Sequence, residues 1–582
     1  MQISLSAAAL ASGLLLFPSV AVAGPLGPLP LPDVKISLND GCRCLPGDAC
    51  WPSVQEWQRL NQTVDGRLVA TVPIGSPCHD PHYDEAACKQ LQDDWLLPQT
   101  HLPSSSSLMQ PFFANQSCDP FTDKDTPCKL GNYVVYSVNV AEPKHVAAAL
   151  KFCKEKNIRP VVRSTGHDFL GRSSGAGGLG IWMWNLKSTQ VLDYSDKFYT
   201  GPALKVDSGV LGAEAVEAAA AKGLAVVTGE CPTVAVAGGY TQGGGHSALS
   251  TAYGLAADQT LEFQVVTADG QVRTASRTQN SDLYWALSGG GGGNYAVVMS
   301  VTIRAHPAGQ VGGAKLAMSA QYTTPEKWEQ AIAAFHKLLP GMIDQGASVV
   351  YYVSNQIFAI SPLTVMNSTG DAVRDEILAP FTAKLAELLI PSQVSYTTLS
   401  YLDHYDTYMG PLPWGHIEVS AYQFGSRLIP KSLLVDEPDK FQSAITNLTN
   451  NGVLAVGSAA AYKSRFDVSN SVLPAWREAY IQMQLTTPWS NDPSQLGAMI
   501  DAQHRMTNEF NPQLARITPT SGAYMNEADF REPNWKQTWF GDNYAKLLAV
   551  KKKYDPENLL YMFKGVGSDA WTVAESGRMC RT

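Results

Sequence analysis

Apolar positions change period several times along the chain, and each change marks an element. YVVYSVNV (133–140) reads as a strand. A helix follows near 144–156, where Val146, Ala149, Leu150 and Cys153 recur at helical spacing on one face. PVVRS (160–164) and IWMWNL (181–186) are short β runs with a glycine-rich loop between them. Residues 204–210 form a further strand, and the alanine-rich stretch 212–223 is a helix stopped by Gly223. LEFQVVTADGQVRTAS (261–276) alternates, turns at Asp269-Gly270 and alternates again, which is the pattern of a hairpin. Two further glycine-rich regions cover 229–254 and 288–304. From about 315 to 500 helices and strands mix without such a loop. Residues 540–553 read as a helix with Tyr544, Leu547 and Leu548 inward, closed by Asp555-Pro556. No internal repeat is present. The pattern is α+β, with a strand-rich half that carries the glycine loops and a second half that does not.

Composition narrows the class. Hydrophobic residues make up 45% of the 582 positions and charged residues 16%, enough for large cores and too apolar for a disordered chain. The net charge of −9 leaves no basic surplus to neutralise phosphates, which argues against a nucleic-acid partner. Residues 5–23, LSAAALASGLLLFPSVAVA, form an apolar run ending in Ala-Val-Ala. That is the signature of a signal peptide, and the run is too short for a membrane span. Residues 1–23 are therefore expected to be removed from a secreted, monomeric protein, leaving a proline-rich start at 24–33. Sequons at Asn61, Asn115, Asn367 and Asn447 could carry N-glycans. Of ten cysteines, seven crowd into 42–128, the mark of a disulfide frame in a secreted chain. A zinc site from Cys42, Cys44, Cys50 and the Cys78-His79-x-x-His82 segment is the alternative, but its spacing fits no common pattern, and no metal is expected.

Three glycine-rich loops within 130 residues need a reason, and a bulky anionic ligand held by backbone N–H groups is one. Residues 175–180, GAGGLG, match G-x-G-x-x-G, yet a β run follows where a dinucleotide fold needs a helix. Residues 171–175, GRSSG, match G-x-S-x-G, yet lack the strand-to-helix context of a nucleophile elbow. His167 lies in a polar turn, where a backbone-bonded loop histidine is the bland alternative to a functional one. Cys231 stands outside the early cluster, before Pro232 and a glycine run, as either a buried thiol or a long-range disulfide partner.

RSTGHDFLGRS (163–173) and CPTVAVAGGYTQGGGHS (231–247) together resemble the pyrophosphate and flavin loops of the vanillyl-alcohol-oxidase superfamily, in its berberine-bridge-enzyme-like branch. LYWALSGGGGGNYAVVMSVTIR (283–304) is similar to the end of that family's FAD domain. GAYMNEADF (522–530) and WFGDNYAKLLAVKKKYDPENLL (539–560) are similar to its C-terminal segment, and CRCLPGDACW (42–51) resembles the start of secreted fungal isoamyl alcohol oxidases. The resemblance implies a two-lobed FAD-binding domain over 129–309, after a Cys-rich segment at 24–128. A mixed α/β substrate domain with an antiparallel sheet would follow at 310–515, and 516–582 would return to the FAD domain. It implies bicovalent FAD, with His167 on the 8α-methyl and Cys231 on C6. Arg163, Ser164, Thr165, Gly166, Gly171, Arg172 and Ser173 would cradle the pyrophosphate. Gly238, Gly239, Gly243, Gly244 and Gly245 would let the chain approach the ring. Val234 occupies the place that gates oxygen, and a small residue there implies an oxidase. With Cys231 so assigned and Cys153 on a helix face, eight cysteines remain for four disulfides.

The chain departs from the family at two places. Tyr240 stands where a histidine is common, and Glu527 replaces the second tyrosine of a motif that Tyr524, Asn526 and Asp529 otherwise fit. Hydride transfer requires a group that takes the substrate hydroxyl proton. Glu527 or Tyr524 would serve, and a solvated surface carboxylate is the alternative for Glu527. The expected activity is oxidation of a small-molecule alcohol by FAD with oxygen as acceptor. A flavin dehydrogenase or oxidative cyclase, and a non-catalytic binding glycoprotein, are the rivals. The aromatic stretch 401–416 either lines the pocket or packs between strands.

Overall fold

A computed structural model describes residues 41–582; the expected signal peptide and proline-rich start lie outside the described residues. The first sheet holds β1 (Leu68–Ala70), β2 (Tyr136–Asn139), β3 (Pro160–Arg163) and β4 (Leu179–Trp182) in the order β1-β2-β4-β3. β4 pairs in parallel with both β2 and β3, so β2 must reach β3 by a crossover. The helix Pro143–Glu155 makes it. Val146, Ala149, Leu150 and Cys153 are all buried on one face, as their spacing predicts. The run at 181–186 is a strand only to Trp182, because Met183–Leu186 closes a turn.

The second sheet is antiparallel. It consists of β5 (Thr189–Ser195), β6 (Thr200–Asp207), β8 (Thr260–Thr267), β9 (Val272–Ser276) and β10 (Ala296–Arg304), ordered β5-β6-β10-β8-β9. A two-stranded ribbon of β7 (Leu224–Ala225) and β11 (His306–Pro307) lies beside it. The hairpin at 261–276 turns where expected, with Gly270 at φ +78°. β6 ends at Asp207, short of 210, because the Val210 amide bonds back to the Asp207 carbonyl and closes a turn.

The third sheet has seven antiparallel strands. They are β12 (Gln310–Ser319), β13 (Ala347–Val353), β14 (Ile357–Met366), β15 (Ser392–Ser400), β16 (Tyr422–Pro430), β17 (Leu454–Ala459) and β18 (Ala479–Pro488). Their order is β15-β12-β14-β13-β17-β18-β16. Alternation along a strand divides its two faces. On β18, Ile481, Met483 and Leu485 enter a core shared with Phe335 of the helix Pro325–Asp344 and Phe441 of the helix Pro438–Asn450. The alternate residues Gln484 and Thr486 face a cavity toward the glycine-rich half.

Four disulfides join Cys42 to Cys580, Cys44 to Cys50, Cys78 to Cys88 and Cys118 to Cys128, leaving Cys153 and Cys231 free. All four thiols of the zinc alternative are thereby bonded. Among the described residues no helix is long and apolar enough to cross a membrane.

The C-terminal segment is fastened by a buried ion pair. Lys551 and Asp555 are each 1% exposed, 2.6 Å apart, on and just after the helix Tyr544–Tyr554. Lys551 also donates to the carbonyls of Asn294 and Leu560, and Asp555 accepts from the Leu559 and Leu560 amides. Breaking such a pair strands one charge, at about 3–5 kcal/mol. Lys551→Met is therefore expected to lower stability by about that amount in a denaturant titration, more than a surface lysine change in the same helix.

Candidate active site

The glycine-rich loops meet the third sheet around a cavity of about 560 Å³, within the range of small-molecule sites. One wall is the loop after β3, with Ser164, Thr165, Gly166, His167, Arg172 and Ser173. A second is the 229–246 region, with Glu230, Cys231, Val234, Gly238, Gly239 and His246. The sheet supplies Tyr352, Ser361, Tyr422 and Gln484, and the C-terminal segment supplies Tyr524, Asn526 and Glu527. Residues separated by over 350 positions thus share one space.

His167 and Cys231 converge on a third side chain. The Thr233 hydroxyl lies 2.8 Å from His167 Nε2 and 3.3 Å from Cys231 Sγ. Burial, with the charges of His101 and Arg163 adding to it, pushes His167 down to about 3, so the imidazole is neutral. Burial raises the Cys231 thiol, while hydrogen bonds from the Thr233 hydroxyl and the Thr233 and Val234 amides pull the other way. Arg172 reaches across to the Met525 carbonyl and binds the loop to the C-terminal segment.

Not every expected residue faces the cavity. Arg163 is buried, and its guanidinium donates to the carbonyls of Ser107, His101 and Thr165. Its guanidinium therefore serves carbonyls of the Cys-rich segment and of its own loop. Gly171 lies outside the cavity lining, at φ +70° against the Phe113 ring. Gly243, Gly244 and Gly245 also lie outside it. A Cβ at Gly243 would come 2.4 Å from the Asn526 amide, and one at Gly245 2.8 Å from the Tyr240 ring. Close packing requires glycine at 243 and 245, whereas Gly244 is set by its φ of +121°. Gly239, by contrast, has nothing within 4 Å of where a Cβ would stand, so its open side is the cavity itself.

The expected proton-accepting residues form a cluster. His246 Nε2 is 3.1 Å from Glu527 Oε1, and Nδ1 is 3.6 Å from Glu230 Oε2. Burial disfavours the charged ring, but the carboxylates of Glu527 and Glu230 outweigh it and hold the His246 pKa well above its ordinary value. His246 is therefore an imidazolium at neutral pH. Asn526 donates 2.9 Å to the Tyr524 hydroxyl and 2.7 Å to the Gly239 carbonyl. Tyr524 is fully buried, and burial together with Glu527 raises its pKa far out of reach of neutral pH. Tyr240 donates to the His246 carbonyl at 2.9 Å, so the residue that replaces a histidine supports the cluster through the backbone.

Residues 135–276 match the family described as FAD binding domain, and 523–567 match the family described as berberine and berberine like. An FAD-linked oxidoreductase, ZEB1 of Gibberella zeae, is 46% identical over 93% of this chain and 95% of its own length. The chain belongs to the berberine-bridge-enzyme-like FAD-linked oxidoreductases of the vanillyl-alcohol-oxidase superfamily. The FAD-linked oxidoreductase patO of Aspergillus clavatus is 44% identical over 93% of this chain and 94% of its own. The crystal structure of the VAO-type flavoprotein MtVAO615 from Myceliophthora thermophila C1 superposes with a TM-score of 0.88 at 42% identity, covering 93% of this chain and 100% of that one.

The residues present fit the flavin of this berberine-bridge-enzyme-like family. The open side of Gly239, a neutral imidazole and a thiol facing one cavity, and the buried guanidinium of Arg172, whose Nε makes no hydrogen bond and lies 3.8 Å from Asp168, are what an anionic, ring-bearing cofactor requires. Sequence reading missed Thr233, Glu230 and His246 as site residues, although Thr233 and His246 lie inside the flavin-loop segment and Glu230 stands just before it. A histidine after a glycine run carries no mark of the two carboxylates that the fold brings to it.

The aromatic stretch 401–416 divides between its two expected roles. Tyr408, Met409 and His416 line the cavity, whereas Tyr405 is buried and donates to the Gly229 carbonyl at 2.6 Å.

A raised histidine pKa contributes stability that is complete below the unfolded value of about 6.5 and fades as pH climbs through the folded value. The melting temperature difference between the parent chain and His246→Gln is therefore expected to be widest below about pH 6 and to narrow in alkali.

Proposed function

We propose that this chain is a secreted FAD-dependent oxidase that converts an alcohol to a carbonyl compound and releases hydrogen peroxide. The observation that carries the reading is the Glu527–His246–Glu230 cluster, which lines the same cavity as His167, Cys231 and the polar residues of the third sheet. Bound FAD supplies the hydride acceptor, and dioxygen takes the electrons onward. Glu527 accepts the substrate hydroxyl proton as the C–H bond is broken. His246 holds that carboxylate in place and sets a fixed positive charge beside the developing alkoxide. Tyr524, oriented by Asn526, donates a hydrogen bond to the substrate oxygen. His167 and Cys231, both on the cavity lining, would each hold the flavin by one bond, and the small Val234 beside them would admit oxygen.

Four carboxylates, Asp168, Glu230, Glu418 and Glu527, line the cavity together with Arg172 and His246, beside the hydroxyls of Tyr352, Tyr422 and Ser361. That hydrogen-bonding lining favours an uncharged, hydroxyl-rich or phenolic alcohol. Four disulfides support an oxidising, extracellular destination. Among the sequons, Asn115, Asn367 and Asn447 are exposed and open to glycosylation, while the Asn61 amide oxygen accepts from the Leu68 amide.

A panel of neutral alcohols, read by oxygen uptake and peroxide release, tests the activity. Glu527→Gln is expected to lower kcat about 10²–10⁴-fold with the flavin content unchanged. Substrate oxidation that reduces the flavin without oxygen uptake would replace the oxidase by a dehydrogenase. Retention of kcat in the Gln variant would remove Glu527 as the base.

A further inference from the structure

We propose that the Thr233 hydroxyl is the proton bridge between the two side chains that anchor the flavin, and thereby a positioning residue for both linkages. The proposal rests on the double-linkage reading above. Thr233 is fully buried, and its hydroxyl lies 2.8 Å from His167 Nε2 and 3.3 Å from Cys231 Sγ. A buried threonine hydroxyl commonly bonds back to the main chain. Among the described residues this one has only the imidazole and the thiol as partners.

A hydroxyl has one proton to give and can accept. A neutral imidazole carries one N–H, and His167 is held neutral by burial. When that proton sits on Nε2 and is donated to Thr233 Oγ1, the lone pair sits on Nδ1. Among the described residues Nδ1 has no hydrogen-bond partner, and His167 lines the cavity. The Thr233 proton is then free to point at Cys231 Sγ, where it favours the thiolate. One hydroxyl thus leaves a bare nitrogen facing the cavity and gives the sulfur a hydrogen bond that opposes the effect of its burial.

The bond changes balance with dioxygen as the oxidant. Nδ1 replaces one hydrogen of the 8α-methyl. The displaced C–H leaves as a proton, its two electrons remain on the ring, and dioxygen removes them as hydrogen peroxide. Alkylation at Nδ1 makes the Nε2–H acidic, and its loss to solvent leaves a bare Nε2. Cys231 then replaces the hydrogen on C6, again leaving two electrons for dioxygen. The thiol proton passes through Thr233 Oγ1 to Nε2 as the sulfur bond forms. On this account the histidine linkage comes first and the cysteine linkage depends on it through Thr233.

The test is the mass of flavin-bearing peptides from acid-precipitated protein, with Thr233→Val and Thr233→Ser beside the parent chain. Valine keeps the shape and removes the hydroxyl; alanine removes it without filling the space, should the valine variant fail to fold. The expected result is that the Val variant remains yellow through gel filtration, while flavin bonded to Cys231 falls at least tenfold and the histidine linkage forms more slowly. Serine restores both bonds, which a purely space-filling role for the side chain would not require. Full double linkage in the Val or Ala variant overturns the proposal. A parent chain whose flavin is released whole by acid overturns the double-linkage reading, and the proposal with it.

Discussion

A buried imidazolium between two carboxylates ties this molecule's active site together. His246 follows one glycine run, Glu230 precedes it, and Glu527 arrives from the C-terminal segment. Each carboxylate alone would leave a charge in a poorly solvated wall; together they hold the ring charged at the cost of its own desolvation. The surrounding contacts follow from that need. Tyr240 bonds the His246 carbonyl, Asn526 bonds the Gly239 carbonyl, and Arg172 bonds the Met525 carbonyl. The C-terminal segment is in this way locked to the loops by hydrogen bonds as well as by the Lys551–Asp555 pair.

The glycines serve two different ends that sequence alone does not separate. At Gly239 the missing side chain opens the cavity, and a flat ring can approach the backbone there. At Gly243 and Gly245 the missing side chain admits Asn526 and Tyr240, so that the hydrogen-bonded cluster can close. A glycine run next to a ligand site is thus partly a ligand surface and partly the packing that supports one. Arg163 shows the same division among charged residues, since its guanidinium serves neighbouring carbonyls rather than the cavity.

Much of the architecture was legible because period and punctuation are local. The helix at Pro143–Glu155, the hairpin around Gly270 and the glycine loops all follow from spacing within a dozen residues. Element ends were less legible, because they depend on neighbours. β6 stops at Asp207, where the Val210 amide turns back onto the Asp207 carbonyl and the Gly209 amide bonds the Leu186 carbonyl. The Tyr405 hydroxyl turns inward because the Gly229 carbonyl lies within reach, a fact that no count along the chain contains.

The sequence by itself determined the α+β pattern, the family through its ordered motifs, and the set of eight cysteines that pair. Those properties are carried by residue type and spacing, which the chain holds before it folds. Only the tertiary structure decided which cysteines join, which glycines open to the cavity, and that Thr233 stands between His167 and Cys231. It also decided that Glu527 is no solvated surface carboxylate but the partner of His246. Such facts depend on side chains brought together from positions up to several hundred residues apart, and distance along the chain carries no record of distance in space.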